Sequence, residues 1–213
     1  MDGKNNSMKT AVRILAVTGV LLPLHEASAH HLTGGHVPAN FYQGFISGLA
    51  HPVIGLDHLA FVVAAGLLSL RFSRGILIPL VFLLMGLVGT GLHIRLVNLP
   101  APEVLVSSSI ILFGLLLALP SRFPLFGIVF LAGLAGIAHG YAYGETIVGA
   151  KMTPLAAYLI GFTLIQFAVA MLARYVGRMI FAPKVAHGVM AQRIAGLGLS
   201  SVGLVFLIYA VHI

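Results

Sequence analysis

The sequence predicts an all-α fold, a polytopic transmembrane helical bundle of about six spans that follows a cleavable signal peptide. Three observations predict it. Of the 213 residues, 59% are hydrophobic and 8% are charged, whereas a soluble domain carries about a quarter of its residues as charges. With a mean hydropathy of +1.06, the chain has too little polar surface to cover a water-facing exterior, so its solvent must largely be lipid. Apolar stretches of helix length follow one another with short polar breaks. They lack the alternation of barrel strands, and lipid admits only helices or closed barrels.

Residues 1–29 read as a secretory signal peptide. Lys4, Lys9 and Arg13 supply a positive start, and the apolar run 14–24 falls short of the roughly 20 residues a span needs. Ala27-Ser28-Ala29 then offers a small-residue cleavage site. Cleavage leaves residues 30–213 as a single membrane domain that begins His30-His31, with His36 close behind.

The expected spans are 41–70, interrupted at His51-Pro52, then 75–94, 104–119, 124–143, 154–175 and 194–211. A mature start outside the cytoplasm puts Arg71, Arg74, Arg122, Arg174, Arg178, Lys184 and Arg193 inside and leaves only Arg95 and Lys151 outside. That asymmetry obeys the positive-inside rule and predicts a bacterial inner-membrane protein with a periplasmic mature N-terminus. Its twelve Lys and Arg outnumber five acids, but they lie singly or in pairs between apolar runs, which argues against a nucleic-acid partner. There is no cysteine, hence no disulfide or thiolate site, and no phosphate-cradling loop of an ATPase. Gly127, Gly133 and Gly136, and Gly196, Gly198 and Gly203, mark close helix contacts; a homo-oligomer is left open.

Two segments carry chemistry. In the first, His51 is followed by Pro52, Gly55, Asp57 and His58 within apolar sequence. An Asp at mid-membrane costs roughly 2.5–3.5 kcal/mol on insertion scales and is normally functional and partnered. Pro52 lacks an N–H and either starts a helix or breaks one; both versions bring two imidazoles and a carboxylate together. The second segment runs from His139 to Glu145 through Tyr143 and Gly144. His139 and Tyr143 are four apart and share a helical face. The orientation places both segments on the outer side, with His93 and with His30, His31 and His36. Mixed imidazole and carboxylate ligands suit divalent first-row metals such as nickel, cobalt or zinc. Magnesium favours all-oxygen sites.

These residues resemble the HupE/UreJ family of nickel and cobalt permeases. His51 to His58 matches its first hallmark, a His, five residues and Asp-His. His139, Gly140, Ala142 and Gly144 match its second, His-Gly-x-Ala-His-Gly-x-Glu, although Tyr143 stands where the second His is expected and Glu145 arrives one residue early. The resemblance covers essentially the whole chain. It implies uptake of divalent nickel or cobalt from periplasm to cytoplasm, with no prosthetic group and no enzymatic activity. The metal-ligating residues expected are His51, Asp57, His58, His139, Glu145, His93, His30, His31 and His36. Two other readings remain: a metal-binding accessory membrane protein without flux, or an intramembrane metalloenzyme or haem protein using His58, His93 and His139. The H-E-x-x-H of a zinc hydrolase is absent from the sequence.

Overall fold

A computed structural model describes residues 37–120, 123–181 and 188–212. Within them the chain forms seven α-helices and no strand: α1 (Phe41–Ile54), α2 (Leu56–Leu68), α3 (Leu77–Ile94), α4 (Pro102–Ala118), α5 (Leu125–Gly144), α6 (Met152–Ile180) and α7 (Gly188–His212). Short 3-10 turns, Ser69–Arg71 and Glu145–Ile147, extend α2 and α5. The predicted all-α membrane bundle is thus the fold observed. Four helices are long and apolar enough to cross a membrane, α3, α5, α6 and α7, and the α1–α2 pair makes a fifth if counted as one bent span. The remaining expected span, 104–119, corresponds to α4, an apolar helix of 17 residues. The signal segment and the His30, His31 and His36 cluster lie outside the described residues.

The first span is where the sequence expectation needs refinement. Its interruption falls at Gly55 rather than at His51-Pro52, and the axes of α1 and α2 differ there by 77°. Pro52 lies inside α1, where it has no N–H to continue the backbone ladder, so the helix is weakened just before it ends. Gly55 is extended (φ −71°, ψ 96°), its N–H bonds His51 O at 3.0 Å, and its own carbonyl accepts from Leu59 N–H at 2.9 Å. A Cβ at Gly55 would stand 2.9 Å from the His58 ring and 3.2 Å from Asp57 Oδ1. Glycine therefore permits the two functional side chains to fold back over the break.

Three close helix pairs, α1 with α6, α3 with α5 and α4 with α7, surround α2, which touches α3, α4, α6 and α7. Nine of the thirteen residues of α2 are buried, from His58 to Leu68, so it is the axis of the bundle. Only four residues of α7 are buried, Gly188, Gly196, Ser200 and Gly203, all small, as befits a helix applied to the outside by close backbone approach. The same device joins α3 to α5: a Cβ on Gly140 would collide with the Gly86 carbonyl. Thr90 Oγ1, which sits between them, lies 2.8 Å from Gly140 O and 3.1 Å from Gly86 O. Large apolar side chains such as Phe126, Leu84, Leu172 and Leu204 point outward, the surface expected of a bundle solvated by lipid.

The two ends of the bundle differ. At one end Arg71 donates to the carbonyls of Leu116, Leu117 and Leu119, the unsatisfied C-terminus of α4. Gln192 of α7 also donates to Leu117 O, and Arg174 of α6 donates to Ser69 Oγ at 2.7 Å. A guanidinium there both satisfies the carbonyls and meets the negative end of the helix dipole. Arg71 and Arg174 thus lie at the same end of the bundle.

Gly140→Ala should lower stability by roughly 1–3 kcal/mol, the usual range for overpacking a filled interface. Gly91→Ala, where an added Cβ meets nothing within 4 Å, should be neutral. Thermal unfolding of the two variants in detergent measures the contrast.

Candidate metal centre

Asp57 is the second residue of α2, where a carboxylate faces the positive end of the helix dipole. Its Oδ1 accepts the His58 backbone N–H at 2.8 Å, and its Oδ2 stands 3.8 Å from His58 Nε2. The Asp57 side chain is 19% exposed and that of His58 3%, so the carboxylate is the member of the pair that reaches the surface. From α5, His139 brings its Nδ1 to within 2.9 Å of His58 Nδ1, with the ring fully buried. His139 Nε2 lies 3.0 Å from Ser109 Oγ, and that hydroxyl donates to Val106 O at 2.6 Å.

One proton pattern satisfies these contacts. With the Ser109 proton on the shorter contact, to Val106 O, His139 donates from Nε2 and accepts at Nδ1. His58 then donates from Nδ1, and in the neutral ring its Nε2 carries a lone pair on the side of Asp57 Oδ2. An imidazole lone pair beside a carboxylate is an electron-rich pair that attracts a cation, and a nitrogen–oxygen pair of this type suits a divalent first-row ion.

His51, on α1 across the break, is buried; its ring centroid is 6.1 Å from that of His58. Its Nδ1 lies 3.2 Å from the Tyr158 hydroxyl and 3.4 Å from Thr146 Oγ1. Tyr158 and Thr146 both reach the Tyr143 carbonyl, at 3.3 and 3.0 Å. Tyr143 joins the two histidines: its ring stacks on His58 (4.2 Å, 30°) and meets His51 edge-on (4.9 Å, 79°), while its hydroxyl lies 3.5 Å from Gln166 Oε1. Where the family pattern would put a further imidazole, this chain thus has a fully buried phenol that packs between two of the histidines.

Four expected ligands, His51, Asp57, His58 and His139, are therefore gathered around the α1–α2 break. Glu145 is not among them: it is exposed on the 3-10 turn after α5. His93 sits apart, its ring 4.4 Å from Tyr141, its Cβ against Gly144, and its buried Nδ1 without a hydrogen-bond partner among the described residues. The gathered groups contact one another rather than a common centre, and among the described residues no three imidazoles or carboxylates converge as they would around a bound ion. Tyr158, Thr146, Gln166 and Ser109 were not foreseen from the sequence. Only their polarity within apolar spans marked them.

Fold and site together define a polytopic α-helical membrane protein with a histidine–carboxylate cluster enclosed at the break of a bent span. The chain belongs to the HupE/UreJ family, whose profile, described as HupE / UreJ protein, matches residues 15–206. Protein HupE of Rhizobium leguminosarum bv. viciae is 28% identical over 136 residues, which cover 63% of this chain and 68% of that protein. No solved structure matches the chain significantly.

The His58–His139 bond makes a specific prediction. His139→Leu should cost roughly 1–3 kcal/mol by stranding the His58 Nδ1 donor, and His58→Leu should cost a similar amount. The double variant should be more stable than the sum of the single losses implies, which a double-mutant cycle of unfolding free energies measures.

Proposed function

We propose that this protein is a permease that takes up divalent nickel or cobalt from the periplasm to the cytoplasm across the bacterial inner membrane. The observation that carries the proposal is the clustering of His51, Asp57, His58 and His139 at a helix break inside an apolar bundle. Burying imidazoles and a carboxylate in an apolar bundle is expensive and marks them as functional. A transport site must release its ion, and a set of groups that turns inward to receive a cation and closes on itself afterwards meets that need. Discontinuous helices serve this purpose in membrane transporters generally, because the break supplies a carboxylate, a helix N-terminus and freed backbone in one place.

In this reading Asp57, the most exposed group, receives the ion, and the His58 Nε2 lone pair beside it completes the first contact. His139 and His51 provide the next imidazoles on either side of Tyr143. The ion is cargo, and the protein holds no prosthetic group and performs no covalent chemistry. An inside-negative potential contributes about 2.3 kcal/mol per charge per 100 mV, roughly 4.6 for a divalent cation, so inward movement needs no ATP. The mature chain begins at His30, and His30, His31 and His36 collect metal on the periplasmic side. His93, with its unsatisfied Nδ1 near the same end, adds an outer contact. The same ligands on a protein that bound metal without moving it would describe an accessory role, and flux separates the two.

Uptake of radiolabelled nickel and cobalt should fall to background in Asp57→Asn and His51→Ala, while Glu145→Gln, altered at an exposed position, should keep at least about half of it. Full uptake by the first two variants, inserted normally, would remove the site assignment. Saturable binding without flux in liposomes would favour the accessory role.

A further inference from the structure

Between the histidine pair and the Arg71 end of the bundle, the interior changes character. Phe61 follows His58 by three residues on α2, and Phe113 follows Ser109 by four on α4, so each lies about one turn nearer the Arg71 end than the polar group it follows. Phe82 comes in from α3. Phe61 touches both of the others: its centroid is 4.6 Å from that of Phe82 and 4.6 Å from that of Phe113. Phe61 and Phe113 are fully buried and Phe82 is 3% exposed. Beyond this layer come Ala65, Leu68, Ile78 and Leu117, all fully buried, before the bundle closes at Arg71 on the end of α4.

We propose that Phe61, Phe82 and Phe113 form the closed inner gate of the ion pathway, and that His139 is the contact through which the ion site acts on it. The proposal rests on the transport reading above. A dry constriction of packed aromatic rings excludes a hydrated divalent cation, since entering it means losing water with nothing to replace it. The collar lies directly on the far side of the last polar group, so an ion that has reached His139 has no other polar partner ahead along α2. The coupling is equally direct. The His139 ring packs on Phe61 at 4.7 Å and on Phe82 at 5.3 Å, and its plane is now set by the hydrogen bonds to His58 and Ser109. An ion held between the two imidazoles replaces the first of those bonds. In an interior packed this closely, a turn of the His139 ring must displace the phenylalanines against it.

The absence of cysteine from the chain allows a clean test that does not depend on transport. Ala65→Cys, one turn beyond Phe61 and fully buried, reports whether water and ions pass the collar. The probe is a charged, membrane-impermeant thiol reagent added from the histidine side of full-length protein in liposomes, with nickel flux measured in the same preparation. The thiol should be protected when residue 113 is Phe and also in Phe113→Leu. In Phe113→Asn, which wets the layer without touching His139, it should react at least about ten-fold faster. Phe113→Ala serves if the polar variant does not insert, with the same expected order. Equal protection in all variants, each retaining helix content and cobalt binding, overturns the gate. Faster labelling in a protein that carries no nickel at all would leave the collar standing as the barrier and remove the transport reading instead.

Discussion

The hydrogen bond between the Nδ1 atoms of His58 and His139, 2.9 Å long and shut away from lipid, ties the break in the first span to α5. It decides much of what surrounds it. Each imidazole satisfies one polar atom of the other in a setting where an unmatched donor costs more than the bond itself returns. With His139 donating to Ser109 from Nε2, the bond leaves the His58 Nε2 lone pair on the side of Asp57. It also sets the plane of His139 against Phe61 and Phe82. A cation that claims these nitrogens must replace the bond, which links occupancy of the site to the packing of the core.

The rest of the fold holds that contact in place. Gly55 allows α2 to leave α1 at a steep angle, with His51 on one side of the break and Asp57 and His58 on the other. Gly140 lets α5 lie close enough to α3 to set His139 at the depth of His58. At the opposite end Arg71 anchors the C-terminus of α4, so the helix that supplies Ser109 and Phe113 is tied to the same chain segment as His58 and Phe61. Broken span, glycine contacts and arginine clamp thus converge on the axis formed by α2.

Much of this was legible in the sequence, for reasons that differ by residue. Composition and segment length define an all-α membrane bundle because lipid allows few alternatives. His51, Asp57 and His58 stood out because charged and imidazole groups are rare in apolar spans, and their spacing made a meeting plausible. The position of the break was less legible: Pro52 draws attention as the residue that cannot donate, but the chain turns three residues later, where Gly55 tolerates the crowding of His58 and Asp57. Glu145 shared with Asp57 a spacing of six from a histidine, yet sequence periodicity cannot say where α5 tightens into a 3-10 turn, and that turn carries Glu145 to the surface. Tyr158, Gln166 and Ser109 come from helices remote in sequence, and only three-dimensional packing brings them to the cluster.

The central claim is that imidazoles at the break of the first span receive the transported ion. X-ray absorption of the nickel-loaded full-length protein tests it most directly. The account predicts multiple scattering from imidazole ligands together with oxygen donors, and loss of the imidazole signal when His58→Ala and His139→Ala are combined. A nickel environment of oxygen alone, or one unchanged by that double substitution, would contradict it.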